Sequence, residues 1–504
     1  MPIRSCSPRL FACAVALTAA TSASAAESFI VGPRALGMGG TGVACVNDVQ
    51  AQYYNPAAFG FFSYGEAPAK DVSHRPVDNQ NLYEKDWGFA VDVNAGLRVH
   101  DRFAEYADDL KNIYDSNLIQ NIENGTTTNI TTADMQKLTT FASALEGIDN
   151  PDEFATADLN AGFGLRIVHF GIGVRAYGEA IARVTNLDMS NFGGGAADIN
   201  TALNSTTTSG SGGVLTAAQQ TALTNAGISG ANVTKLDQLA SSAGLSSSDV
   251  QSLVDLIAAS GSGTGTVTDN TTTVLVRGVA IGEIPISYGY AINDHVSIGG
   301  SLKFIKGRLY GTAVRVFDDN AADTLRNARD HYQDTATGSI DLGVMTRWEM
   351  FQAGITGRNL TRPKFKGFDS TTTLSNGTTV TEHIDDYTLD PSAAVGVAFI
   401  PAPWFTLAAD ADLTRNKTIY PDYKTQHVGL GAEVNAFYFL ALRGGVMKNI
   451  AESDVGLIYT AGLGLNLWAM RLDVAAAMAK EKTTFDGREI PREMRGSAQL
   501  AVDF

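Results

Sequence analysis

Hydrophobic and polar positions alternate along most of this chain with a period of two, in segments of roughly ten or more residues. After Asp158, the side chains of Leu159, Ala161, Phe163, Leu165 and Ile167 share one face, and Asn160, Gly162, Gly164 and Arg166 share the other. Leu407, Ala409, Ala411 and Leu413 oppose Asp410 and Asp412, and Leu472, Val474, Ala476 and Met478 oppose Arg471, Asp473, Ala475 and Ala477. The last segment sets Ala498, Leu500, Val502 and Phe504 against Ser497, Gln499, Ala501 and Asp503. A soluble β-sandwich also alternates, but it buries its apolar faces against each other and wets the charged ones. Here the second face is small and polar, as a barrel lumen requires, which makes Arg166, Asp410, Asp412, Arg471 and Asp473 lumen-facing residues. Register is enforced by energy, since a Lys or Arg turned to lipid near the midplane costs ~2–4 kcal/mol and an Asp somewhat less.

The pattern predicts strands at 87–99, 155–168, 170–186, 272–290, 295–317, 335–349, 351–366, 386–400, 404–417, 422–436, 438–450, 454–468, 470–484 and 492–504. The expected fold is therefore all-β, a closed antiparallel transmembrane β-barrel of about fourteen strands over 87–504. Closure is required because lipid offers no hydrogen bond to an unpaired backbone group. Short connections at His169, Ile292 to Asp294, Glu349-Met350, Pro401 to Pro403, Phe437 and Ala469 alternate with long ones. That asymmetry implies tight periplasmic turns and extended outer loops, with both termini in the periplasm. Trp87, Trp348, Trp404 and Trp468 all fall at the short-turn end, joined by Phe170, Tyr288, Tyr290, Phe351, Phe405 and Tyr438, as one interfacial aromatic girdle.

Two stretches depart from the period. In 101–150, Phe103, Tyr106, Leu110, Ile113 and Tyr114 line one helical face and Met135, Leu138, Phe141, Leu145 and Ile148 another, so the first outer loop holds two amphipathic helices whose apolar faces either pack on the barrel mouth or line a ligand entrance. Residues 188–270 are rich in Ser, Thr, Gly and Ala, with helical pieces at Leu215 to Leu223 and Leu236 to Ile257 and a linker-like end at Gly261 to Gly265. This reads as a mobile outer excursion.

The first 25 residues carry Arg4 and Arg9, an apolar stretch from Leu10 to Ala20 and the small-residue site Ala23-Ser24-Ala25, which is the layout of a secretory signal peptide. Cleavage there would remove Cys6 and Cys13 and leave Cys45 alone, so no intramolecular disulfide is expected. It would also leave 35 basic side chains against 53 acidic ones, a net charge of −18 against −16 for the whole chain. Such a chain suits no nucleic acid, whose phosphates demand clustered Lys and Arg.

Candidate chemistry is sparse. Gly37-Met38-Gly39-Gly40-Thr41-Gly42 fits a dinucleotide-binding string, but no parallel strand precedes it and no βαβ unit surrounds it. The Asp410 and Asp412 pair sits on an alternating strand, where a lumen role explains it better than phosphotransfer. The histidines lack metal-ligand spacing, and no nucleophile, base and orienting acid stand together, so neither a metal, a cofactor nor an enzyme activity is expected.

Pro33-Arg34-Ala35-Leu36-Gly37-Met38-Gly39-Gly40-Thr41-Gly42-Val43-Ala44, then Asn47-Asp48 and Tyr54-Asn55-Pro56-Ala57-Ala58, resembles the opening of the FadL-like long-chain fatty acid transporter superfamily. The resemblance implies a fourteen-stranded barrel with an N-terminal hatch over 26–86. Gly37, Gly39, Gly40, Gly42, Asn55, Pro56 and Ala57 would be hatch residues. Small residues let a backbone thread a crowded lumen, and a proline fixes a turn. The terminal Phe504 matches the C-terminal aromatic of such barrels and implies recognition by the barrel-assembly machinery. The same opening also resembles PorV-type secretion barrels and plasmid-transfer TraF-like outer-membrane proteins, and the helical insertion after the first strand looks closest to the latter. The expected function is a passive outer-membrane channel, surrounded by lipid, for hydrophobic small molecules such as long-chain fatty acids. The alternative is a docking component of a conjugal-transfer or secretion apparatus, binding a partner protein.

Overall fold

The computed structural model describes residues 29–62, 86–190, 192, 195–260, 270–316, 331–373, 377, 379–420, 423–437, 439–467 and 469–504. The signal segment, the Gly261 to Gly265 linker, Tyr438 and Trp468 lie outside the described residues.

Fourteen antiparallel strands close into one barrel: β1 (Trp87–Val99), β2 (Ala155–Ile167), β3 (Phe170–Asn186), β4 (Thr273–Asn293), β5 (Val296–Arg315), β6 (Tyr332–Arg347), β7 (Phe351–Arg358), β8 (Ser392–Ala402), β9 (Phe405–Asp412), β10 (His427–Ala436), β11 (Leu440–Asn449), β12 (Leu457–Leu467), β13 (Met470–Ala479) and β14 (Glu493–Asp503). The alternating segments become these strands, and β1 seals against β14 from Gly88↔Asp503 to Arg98↔Glu493. Trp87 and Phe504 clamp the seam by exchanging backbone bonds of 2.9 and 2.8 Å and stacking their rings at 4.7 Å. The outward parity is exposed and apolar all round, with Val93, Val174, Leu302, Leu342, Val397, Leu463 and Val474 as examples. No described helix is long and apolar enough to cross a membrane, and a closed barrel with this belt crosses with its strands.

The sequence reading runs the seventh strand to 366, but it stops at Arg358. Asn359 and Arg362 take positive φ values of 55° and 56° and turn the chain away. Likewise β8 begins at Ser392 and β9 ends at Asp412, the intervening residues forming small hairpins at the long-loop end.

The wall is uneven in height. Strands β3, β4 and β5 have 17, 21 and 20 residues, against 8 in β7 and in β9. Their tops rise past the rim yet keep apolar residues at the outward parity: Val184, Val274, Val276 and Val314. Helices from the first insertion cover them, with Phe103, Ala104 and Ile148 joining these valines and Val99 in one buried cluster. The helices therefore pack on the outside of the tall wall instead of on the barrel mouth, because that is where apolar surface stands above the lipid.

The first insertion forms three helices, α3 (Phe103–Asp115), α4 (Leu118–Glu123) and α5 (Thr132–Ile148), after the hatch helices α1 (Pro33–Gly37) and α2 (Ala51–Tyr54). Among its described residues the second forms four, α6 (Ala196–Asn204), α7 (Ala217–Asn225), α8 (Gly230–Ser242) and α9 (Gln251–Ser260). Capping boxes start α5 at Thr131 with Asp134 and α7 at Thr216 with Gln219. The two insertions bury one shared core, in which Met135, Phe141 and Leu145 meet Phe192, Leu236, Leu253 and Ile257. Each piece is weakly amphipathic alone, and together they make a body.

At the root of that body, the Arg102 N–H donates to Glu153 Oε2 at 2.9 Å. Burial, with Asp101 adding to it, pushes the Glu153 carboxyl up to about 7. The folded chain thus holds this proton more tightly than the unfolded one. The stability it contributes is full below about 4.5 and is lost as pH rises through about 7. Hydrogen exchange at Phe103 and Ala104 is expected to quicken over that window, and Glu153→Gln is expected to flatten the response.

Candidate functional site

The lumen is filled by residues 29–62, which touch the wall on every side. Gly32 N donates to Asn94 Oδ1 on β1 at 3.1 Å, and Asn55 Nδ2 donates to Val344 O on β6 at 3.1 Å. His169 at the β2–β3 turn meets Phe59 O at 3.1 Å. Pro33 sits in the first turn of α1, where its missing N–H costs nothing. Asn55 caps the 3₁₀ turn Pro56–Phe61 by accepting from Ala57 N at 3.1 Å. Its amide also donates to Val43 O at 3.1 Å, closing the hatch on itself. Ala57 is fully buried, and its carbonyl accepts from Ser297 Oγ at 2.6 Å.

The glycine run lies at the ion-paired wall. Thr460 Oγ1 donates to Gly37 O at 3.1 Å and accepts from Gly39 N at 3.0 Å. Gly39 and Gly40 take φ values of 69° and 84°, and a side chain on Gly39 would meet the Val446 and Leu430 carbonyls. Gly42 N and Val43 N both donate at 2.7 Å to Asp410 Oδ2. The glycine string thus threads a backbone past a wall of antiparallel strands.

Of the five wall residues read as lumen-facing, four touch the hatch or the ion network around it. Asp410 receives the two hatch N–H groups. Arg471 lies 3.3 Å from Asp48 and 3.2 Å from Asp503. Asp473 pairs with Arg443 at 2.5 Å. Arg166 covers the Phe62 ring at 4.0 Å and stands 3.8 Å from Asp503. Asp412 stands apart near the rim, accepting from His427 N at 2.9 Å.

Sequence reasoning missed the pairs that hold the hatch most firmly. Arg34 forks onto Glu433 with two bonds of 2.9 Å, and Glu433 also accepts from Arg443 at 2.7 Å, so one buried chain runs Arg34, Glu433, Arg443, Asp473. A second centre joins Arg175 to Asp92 at 2.8 and 2.9 Å and brings Gln50 of the hatch to both, at 2.9 and 2.7 Å. A signal was available: a hairpin centred on Tyr438 places Glu433 opposite Arg443, as the register confirms.

The inner face is not uniformly small and polar, which corrects the sequence reading of it. The charges just described lie on β1 to β3, β9 to β11, β13 and β14, and Glu283 on β4, Lys303 on β5 and Asp341 on β6 form a further buried group, with Lys303 3.8 and 2.9 Å from the two carboxylates. Strands β3 to β6 present Tyr177, Ile181, Val279, Ile281, Ile305, Leu309 and Met345, continuous with Phe59, Phe61 and Phe62 of the hatch. A cavity of about 50 Å³ remains between hatch and wall, lined by Phe29, Ile30, Tyr54, Arg358 and Met447. Among the described residues no cluster could hold a metal ion.

Several solved barrels are similar to this chain. The toluene transporter TbuX of Ralstonia pickettii is 12% identical, with 94% of this chain and 98% of that one covered and a TM-score of 0.47. The toluene transporter TodX of P. putida is 10% identical, with coverages of 94% and 98% and a TM-score of 0.45. A FadL homologue of Pseudomonas aeruginosa is 9% identical, with coverages of 96% and 99% and a TM-score of 0.43. No curated protein matches. The model of the family described as F plasmid transfer operon, TraF, protein matches residues 52–412, from the hatch through β9, and the chain belongs to that family.

Proposed function

We propose that this protein is a channel of the Gram-negative outer membrane for hydrophobic small molecules, long-chain fatty acids among them, with residues 29–62 as its hatch. The observation that carries the reading is an apolar sector inside the lumen. It runs from Tyr387, Tyr420 and Tyr423 at the long-loop end, along β3 to β6, to the phenylalanines of the hatch, beside the Glu283, Lys303 and Asp341 group. An apolar solute gains about 25 cal/mol for each Å² it removes from water on such a lining. The short turns and both ends of the barrel share one side, which supports a periplasmic placement of the termini.

The remaining cavity has room for only about three to five waters at ~10–15 Å³ each, so conduction past it requires the hatch to shift. Residues 33–50 are ion-paired to the wall, while 55–62 meet it through packing, through hydrogen bonds of Asn55, Ala57 and Phe59 with Val344, Ser297 and His169, and through Arg347 and Arg166 over the Phe61 and Phe62 rings. In this reading the part that shifts is 55–62, which lies beside the apolar sector and, among the described residues, has no ion pair to the wall. Proteoliposomes carrying the protein are expected to take up a fluorescent long-chain fatty acid. Ile281→Asp, which puts a charge in the sector, is expected to cut uptake at least tenfold with heat-modifiable migration unchanged. No ligand-dependent uptake, even by a hatch-released variant, would count decisively against the channel.

The family match and the helical body favour a second reading, in which the long-loop end docks a partner of a transfer apparatus. Crosslinked pull-down from intact membranes tests it, and recovery of the barrel alone speaks against it.

A further inference from the structure

The outward faces of the strands carry almost no charge, and what they carry stands at one end. At the parity of the exposed apolar belt, the described strands present Lys306 and Arg308 on β5, Asp334 on β6 and Lys448 on β11, and Lys480 follows directly after β13. All lie towards the long loops. Lys306 is ten residues along β5 from Val296. At ~3.3 Å per residue and a tilt of ~40° that is about 25 Å up the wall, the height of an apolar membrane band.

Two clusters result. Arg308 forks onto Asp334 at 2.5 and 2.9 Å and lies 3.7 Å over the Tyr332 ring, while Lys306 Nζ reaches the same carboxylate at 3.4 Å. One carboxylate serves two cations, so the cluster faces outward with net positive charge. Across the barrel, Lys448 is paired with Leu457, whose carbonyl accepts the Lys480 N–H at 2.8 Å. The two lysines thus flank Leu457 in one row, and among the described residues no ion pair engages either.

The opposite rim differs in kind. There the outward positions are Trp87, Phe170, Tyr288, Tyr290, Trp348 and Phe351, and among the described residues no Lys or Arg stands at an outward position of that rim or in the short turns, Arg166, Arg347 and Arg471 facing inward. A general affinity of amphipathic side chains for membrane interfaces acts at both ends alike. Composition does not explain the collar either, since the chain carries a net charge of −16. One-sided cations require a chemical difference between the two leaflets.

We propose that this collar binds the phosphates of lipid A, the phosphorylated saccharolipid of the outer leaflet. Lys306 and Arg308, two cations on the single Asp334 carboxylate, and the ammonium groups of Lys448 and Lys480 provide positive charge for phosphate at headgroup height. The inference rests on the outer-membrane placement with long loops outward, and it is independent of what crosses the lumen.

The test is native mass spectrometry of protein released from phosphatidylcholine nanodiscs doped equally with lipid A and phosphatidylglycerol. The wild type is expected to retain lipid A over phosphatidylglycerol. Lys448→Gln with Lys480→Gln, which breaks no ion pair, is expected to lower that retention several-fold. Adding Lys306→Gln and Arg308→Gln is expected to bring it to background, with heat-modifiable migration reporting that the barrel is intact. Equal retention of the two anionic lipids by the wild type, or undiminished lipid A on the fourfold variant, overturns the proposal. Protease cleavage of the long loops on intact cells reads orientation separately, so a reversed barrel and an idle collar give different results.

Discussion

Replacing Glu433 by alanine is expected to undock the hatch at its ion-paired side, with Cys45 reporting the event. Glu433 is buried and sits between Arg34 of the hatch and Arg443 of β11. Its removal leaves Arg34 facing an unpartnered wall, and breaking one partner of a buried pair costs ~3–5 kcal/mol because the remaining charge stays desolvated. The undocked fraction then rises on the order of a hundred- to several-thousand-fold, at ~1.4 kcal/mol per factor of ten. Cys45 is buried and unpaired in a disulfide, packed among Met38, Ala44, Ala398 and Ala408. A maleimide reaches it only from the undocked state, so its labelling rate follows that fraction. Arg34→Met in the Glu433→Ala background is expected to slow labelling again, since an apolar side chain needs no counter-charge. Unchanged labelling in Glu433→Ala would show that the pair does not hold the hatch.

The sequence could disclose strands, faces and turns because each follows from local periodicity. A charge at Asp473 or Arg166 fixes which face of its strand turns inward, and a short turn at Phe437 marks where β10 gives way to β11, one position from the observed centre of pairing. Hatch contacts are another matter. Arg34 and Glu433 are 399 residues apart, and neither carries a mark that selects the other among the inward charges. The apolar sector was hidden for a related reason. Ile281 and Leu309 sit at inward positions of strands whose outward positions are also apolar, so the two faces of β4 and β5 contrast too weakly to reveal a lining. Valines at 274, 276 and 314 continue the outward pattern past the rim, where alternation alone says nothing about whether lipid or a helix covers them. The helical insertions showed their individual faces, but which helix fills which groove depends on contacts between segments some hundred residues apart.

Strand β10 holds the hatch both by charge at Glu433 and by close backbone packing at Gly431, so two different faults can release it, electrostatic and steric. Gly431 faces Met38 so closely that a Cβ there would overlap the Met38 carbonyl and Cα, and the neighbour is backbone, which cannot rotate aside as a side chain can. Gly431→Val is therefore expected to displace the 37–43 run from β10. Overpacking of this kind costs about 1–3 kcal/mol where side chains can adjust, and more against a fixed backbone. The barrel itself should survive, since Gly431 keeps its ladder partners Ala408 and Gly445 and valine suits a strand. Cys45 labelling is expected to rise by at least tenfold while heat-modifiable migration stays that of a folded barrel. Gly444, whose outward side meets nothing within contact distance, supplies the control: Gly444→Val adds the same side chain on the lipid side and should leave labelling at the wild-type rate. If both variants label alike, the seat of the hatch on β10 is not what excludes solvent from the thiol. If only Gly431→Val responds, the same variant is the hatch-released form for the uptake measurement, and it separates a barrel that conducts once unplugged from one that does not conduct at all.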